Sequence, residues 1–185
     1  MLRKEMSKAE IEKELYGKGD YVQIDNITRF LKENLPMDTK RFLYMKLAGI
    51  YERRRMFIEA ADVYGKAEEI ALTPSEKLNY SVKETEDYIK SGFFDKADAA
   101  IRKIISEAKI SERNRIMLSI KEVYKNQAQE YEKERRRNHA VKAYEKILTL
   151  DISNSEKDEI NKKLLVLYKE LGMIPEYMKL KAKFE

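Results

Sequence analysis

Cysteine and tryptophan are both absent from the 185 residues, and histidine occurs once. Without cysteine there are no disulfides, no thiolate metal sites and no thiol nucleophile. A single histidine, His139, cannot supply the several imidazoles of a typical zinc site or the paired Glu-x-x-His motifs of a di-iron bundle. Only six glycines and three prolines interrupt the chain, a scarcity that argues for helices and against a turn-rich β fold. Long apolar runs are missing too. The longest is Leu164-Leu165-Val166-Leu167-Tyr168, far short of the roughly 20 residues of a membrane-spanning helix. The opening residues, Met1-Leu2-Arg3-Lys4-Glu5-Met6, run into charged sequence and not into an apolar stretch. No secretory signal is read there, and a cytoplasmic location is expected.

What the chain has in quantity is charge of both signs, 38 basic against 33 acidic residues for a net +5. That excess is small against its background and by itself points to neither a nucleic acid nor an anionic membrane. A hydrophobic share of 43% is too high for disorder. The length suits one domain, 1-185, or a row of small units sharing a continuous core.

The apolar residues repeat. Tyr44, Leu47, Ala48, Tyr51 and then Ala60, Tyr64, Ala67 each follow the spacing of one helix face. The charged stretch Glu52-Arg53-Arg54-Arg55 between them is where one helix can end and the next begin. The second pattern returns as Ala97, Ile101, Ile104 and as Ala140, Tyr144, Ile147, with earlier and later echoes at Ile24, Thr28, Leu31 and Tyr177, Lys181, Phe184. Equivalent positions Ile24, Ala60, Ala97, Ala140 and Tyr177 are separated by 36, 37, 43 and 37 residues. A period in that range is the mark of stacked helix pairs.

These residues resemble the tetratricopeptide repeat. Lys18-Gly19-Asp20-Tyr21 is similar to its inter-helix turn, the run from Ala140 to Asp151 resembles its second helix, and Pro36 stands where the family places a terminal proline. The resemblance spans the chain as units at about 7-36, 38-72, 74-110, 112-151 and 154-185. It implies an all-α, right-handed solenoid of about five antiparallel helix pairs.

Local signals agree with that phase. Ser7 and Glu10, Thr73 and Glu76, and Ser153 and Glu156 each have the spacing of a capping box, and Pro74 suits the first position of a helix. The 43-residue interval predicts one lengthened helix near 112-136, running from the cap candidate Ser111 through Ile116, Ile120, Tyr124 and Tyr131 to about Arg136, roughly 37 Å long.

Features that might carry chemistry have simpler explanations. Of the twelve tyrosines, Tyr44, Tyr51, Tyr64, Tyr88, Tyr124, Tyr131, Tyr144, Tyr168 and Tyr177 fall on packing positions, which leaves few rings for stacking nucleic-acid bases. Arg53-Arg54-Arg55 and Arg135-Arg136-Arg137 could bind phosphates, yet both sit at helix ends, where cations favour the exposed carbonyls. Carboxylate pairs such as Glu84 and Asp87 or Glu130 and Glu134 read as solvated helix faces. No nucleophile elbow, phosphate loop or dinucleotide fingerprint occurs. The expectation is a protein that is not an enzyme, with no cofactor and no metal.

In proteins of the tetratricopeptide family the first helix of each pair lines a concave face that holds a peptide or helix. The resemblance maps this face onto Phe42, Met45, Gly49 and Arg53, then Asn79, Val82, Lys83, Glu86 and Lys90. It continues through Lys125, Asn126, Gln129 and Lys133 to Lys162, Lys163, Val166 and Lys169. Such a groove is apolar at one end and basic at the other, which implies a protein partner offering an acidic segment, with nucleic acid as the alternative. Members that clamp chaperone tails carry a Lys and Asn pattern of which only Lys125 and Gln129 have counterparts here, so that role is not expected. Tyr177, Leu180 and Phe184 on the last helix imply self-association through the C-terminal end.

Overall fold

The computed structural model describes residues 2–183. They form ten helices and, among the described residues, no strand: α1 (Lys8–Leu15), α2 (Asp20–Phe30), α3 (Met37–Arg53), α4 (Phe57–Glu69), α5 (Pro74–Ser91), α6 (Phe94–Glu107), α7 (Ile110–Lys133), α8 (Arg137–Ile147), α9 (Asn154–Leu171) and α10 (Ile174–Lys181). None is long and apolar enough to cross a membrane. The chain divides into two compact units, Met1–Lys109 and Ile110–Glu185.

In the first unit α2 packs on α3, α3 on α4, α4 on α5 and α5 on α6. Its core gathers Ile11, Leu15, Ile27, Phe30, Leu43, Leu47, Ile50, Tyr64 and Tyr80. In the second unit α7 packs on α8, α8 on α9 and α9 on α10. There Ile116, Ile120, Tyr124 and Tyr131 bury one face of α7, and Ala140, Tyr144, Ile147, Ile160 and Leu164 are buried on α8 and α9. The alanines of the repeating pattern, Ala60, Ala97 and Ala140, are each fully buried, as expected where two helix backbones approach closely.

Four inter-helix turns share one geometry. The amides of Met56, Phe93, Arg136 and Met173 donate to the carbonyls of Tyr51, Tyr88, Tyr131 and Tyr168 at 2.8–3.0 Å. One residue earlier, the amides of Arg55, Gly92, Arg135 and Gly172 donate to Glu52, Ile89, Glu132 and Lys169 at 2.9–3.2 Å. This double bond pattern is the Schellman motif, which closes the orphan carbonyls of a helix end and requires a left-handed residue. That residue has φ of 58° at Arg55, 82° at Gly92, 56° at Arg135 and 67° at Gly172. The four are 37, 43 and 37 residues apart. Two turns therefore use glycine, which adopts this conformation freely, and two place an arginine there against its steric preference.

The N-termini follow the sequence at Ser7, Ser153 and Pro74 and depart from it at Thr73 and Ser111. Ser7 and Ser153 form complete capping boxes with Glu10 and Glu156. Thr73 accepts from the Glu76 amide at 3.1 Å, but the Glu76 carboxylate goes elsewhere, accepting from the Leu72 amide at 2.7 Å and the Tyr80 hydroxyl at 2.8 Å. Pro74 opens α5 as expected.

Three expectations need correction. The long helix runs from Ile110 to Lys133, not 112-136: Ser111 lies inside its first turn, and the left-handed Arg135 stops it early. On α2 the buried residues are Ile27 and Phe30 while Thr28 is exposed, because the face toward the core is set by Ile24, Ile27 and Leu31. On α10 Lys181 is exposed and Leu180 is the buried residue. Phe184, expected on the same face, lies outside the described residues.

Candidate functional site

The groove residues of the first unit come from α3 and α5. Phe42 is half-buried beneath two ammonium groups, Lys8 at 5.9 Å and Lys46 at 5.6 Å from its ring. Met45 and Asn79 are exposed, and Val82 and Gly49 half-buried. The cations are already engaged. Arg53 pairs with Asp20 at 2.9 Å, Lys83 with Glu86 at 2.9 Å, and Lys90 with Asp87 at 3.0 Å and Glu52 at 3.9 Å while lying 5.5 Å from the Phe57 ring. The arginine run is bracing as well: Arg54 stacks on Tyr21 at 4.0 Å and donates to its hydroxyl at 2.7 Å. Arg53 and Arg54 thus tie the end of α3 to the first turn of α2.

Beneath these pairs lies a buried acidic centre, at Asp87, where helix spacing alone suggests a solvated face. The Asp87 side chain is fully buried; Oδ1 accepts from Lys90 and Oδ2 has no hydrogen-bond partner. Burial raises its pKa from 3.8 to about 6, against the lowering pull of Lys90, and the Glu52 and Glu86 carboxylates push the same way as burial. The neighbouring Tyr64 phenol is raised above its ordinary value by burial and then by Glu52 and Asp87.

In the second unit the groove residues fall into three groups. Lys125 reaches across to Glu156 on α9 at 2.7 Å, beside Lys121 at 2.9 Å. These two lysines and the cap amide of Ser153 hold the Glu156 carboxyl well below the usual range, with the Lys125 bond the largest cause. Asn126, Gln129, Lys162 and Lys169 are exposed. The third group, Lys133, Lys163 and Val166, lines a cavity of about 390 Å³ with Arg135, Arg137, Leu167 and the carboxylates Glu132 and Glu170.

That cavity is built from three elements. The end of α7 supplies Glu132 and Lys133, the turn after it Arg135, α8 begins with Arg137, and α9 contributes Lys163, Val166, Leu167 and Glu170. Glu132 is anchored: it accepts from the Tyr144 hydroxyl and from Lys163 at 3.3 Å. Its carboxylate and the burial of the ring raise the Tyr144 phenol far above its ordinary value, burial first. Arg137 pairs with Glu170 at 2.5 Å and Lys133 with Glu130 at 2.7 Å, whereas Arg135 makes no ion pair among the described residues. Val166 is 58% exposed and gives the cavity an apolar wall.

Arg135 and Arg137 belong to a run expected either to bind phosphate or to close a helix end, and that run is the signal in the sequence that points to them here. His139, in the first turn of α8, lies against Tyr131 at 5.2 Å between ring centroids. Desolvation, then Arg136 and Lys142, lower its pKa. Among the described residues no group of three or more His, Asp or Glu side chains could hold a metal ion. Compared with protein-family models, curated proteins and solved structures, the chain matches none.

Proposed function

We propose that the chain is a non-catalytic scaffold of the tetratricopeptide-like kind. Within each unit it stacks antiparallel helix pairs, as in a right-handed solenoid, and it binds an acidic segment of a partner protein. Supporting the helix-pair reading are the four Schellman turns at near-regular spacing and the buried alanines at equivalent positions. The observation that carries the binding reading is the cavity of the second unit. It gathers Lys133, Lys163 and Val166 with two further arginines around an apolar wall, so that a basic rim and a place for an aliphatic side chain coincide.

Nucleic acid is the second reading, and it needs a continuous stripe of free cations. The pairing of Arg53, Lys83, Lys90, Lys125 and Lys163 with nearby carboxylates weighs against such a stripe. A binding assay separates the two. Fluorescence anisotropy is followed with labelled acidic peptides, basic peptides and a single-stranded oligonucleotide, each at rising salt. Preference for acidic peptides, weakened by salt and by Lys163→Glu, supports the scaffold. Tightest binding to the oligonucleotide would replace it with the nucleic-acid reading.

A further inference from the structure

We propose that the exposed face of α9 receives an α-helix of the partner, one that presents two carboxylates seven residues apart with an aliphatic side chain between them. The inference rests on the reading that the second unit takes an acidic segment of protein, and it names the conformation and spacing of that segment.

Free charge is the first argument. Three lysines of the second-unit groove are already matched inside the protein, Lys125 by Glu156, Lys133 by Glu130 and Lys163 by Glu132. Lys162 and Lys169, both on α9, are exposed and make no ion pair among the described residues. Two ammonium groups without a counter-charge on one helix are available to the carboxylates of a partner.

Their placement is the second argument. Lys162, Val166 and Lys169 stand at i, i+4 and i+7 of α9 and so share one face. At 1.5 Å per residue, Val166 lies about 6 Å and Lys169 about 10.5 Å along the axis from Lys162. Val166 is 58% exposed, which leaves an apolar side chain open to a partner midway between the two cations. Asp158, exposed one turn before Lys162, ends the basic strip on that side and repels a further carboxylate.

Backbone geometry is the third argument. A partner helix lying along α9 repeats its spacing: carboxylates at i and i+7 meet the two lysines, and an aliphatic residue meets Val166 from i+4 in a parallel helix or from i+3 in an antiparallel one. A β-strand sets same-face side chains about 6.7 Å apart, so a carboxylate beyond the aliphatic residue overshoots Lys169 by about 3 Å. A polyproline II segment returns to one face every third residue, about 9.3 Å apart, and leaves the middle of the strip unfilled. Of the three conformations, the α-helix alone meets the strip at every position.

The test is titration of the full chain, by fluorescence anisotropy, with alanine-based peptides held helical by a side-chain bridge. In-register peptides carry glutamate at i and i+7 with leucine at i+3 or i+4. An off-register peptide of the same composition carries its glutamates at i and i+5, on different sides of the helix, and an unbridged peptide has in-register glutamates with a central proline. The better in-register peptide is expected to bind about tenfold tighter than either control, the product of two surface ion pairs at about threefold each. Lys162→Ala and Lys169→Ala are each expected to lose about threefold. Lys157→Ala, which removes an exposed lysine from the opposite side of α9, is expected to leave affinity unchanged. Off-register or proline peptides that bind as tightly as the in-register ones, or a loss from Lys157→Ala as large as from Lys162→Ala, overturn the helix inference and leave the acidic-segment reading standing. No binding of any acidic peptide overturns both. A tighter-binding single-stranded oligonucleotide overturns the inference and assigns the strip to nucleic acid.

Discussion

Replacing Asp87 with asparagine should make the first unit more stable at neutral pH, although it removes one partner of an ion pair. The carboxyl is fully buried, its Oδ2 is unpartnered, and its pKa is raised from 3.8 to about 6 by burial despite Lys90 at 3.0 Å. The folded state therefore prefers the protonated form. Its stabilising contribution is fully present below the unfolded value of 3.8 and is lost as pH rises through about 6. The gap between the two values corresponds to about 3 kcal/mol between a permanently neutral and an ionised side chain. Asparagine is neutral at every pH and keeps an oxygen for Lys90, but its amide donors need an acceptor, at a cost of about 1 kcal/mol or more. The net gain at pH 7.5 is about 1–2 kcal/mol, which raises the midpoint by roughly 2–8 °C in a chain of this size.

Urea denaturation followed by circular dichroism gives the total. Hydrogen exchange read on peptides from α3, α4 and α5 assigns the change to this centre. Native protein should gain stability from this group between pH 7.5 and pH 5, and Asp87→Asn should lack that gain. A variant less stable than native protein at pH 7.5 would refute the reasoning, since it would show that the ion pair with Lys90 outweighs the desolvation of the carboxylate.

The second unit should respond to acid in the opposite direction. Glu156 is held below its ordinary 4.5 by Lys125, Ser153 and Lys121, so its contribution is present above 4.5 and is lost as pH falls. Exchange protection of α9 should drop on acidification, and Glu156→Gln should start with the reduced protection and change less with pH. Arg135→Gly should stabilise the same unit by roughly 0.5 kcal/mol, because relief of a left-handed strain of about 1–2 kcal/mol exceeds the extra chain entropy of about 0.5–1 kcal/mol that glycine must lose. Its urea midpoint should rise slightly, and a fall would show that the Arg135 side chain stabilises the fold.

Much of the helix pattern was legible in the sequence because it rests on local signals. The buried positions of α4, α7 and α8 follow from apolar spacing, and the starts of α1, α5 and α9 follow from Ser7, Thr73 with Pro74, and Ser153. The glycine turns at Gly92 and Gly172 can be recognised by residue type, whereas Arg55 and Arg135 conceal the same turn behind a charged residue, so α7 ends earlier than its spacing suggests. The charge pattern of the site was the least legible. Lys163 with Glu132, Lys125 with Glu156 and Arg53 with Asp20 join residues more than thirty positions apart, so a lysine that looks free on one helix is neutralised by the next. Asp87 escaped for a related cause: its helix spacing alone suits solvent, and only the packing of α5 against α4 and α6 buries it.

The substantial helix contacts within each unit all join neighbours in sequence, and this bears on kinetics. Contacts of low sequence separation cost little loop-closure entropy before they form, so assembly should be fast and should grow from any pair that docks first. The same locality ties each terminal helix chiefly to elements close to it in the chain, as α1 is tied to α3 through Lys46 with Glu12 and Lys8 with Asp38. Opening can proceed from one end of a unit while the rest stays folded, and relaxation after a jump in denaturant should show several phases in place of a single exponential.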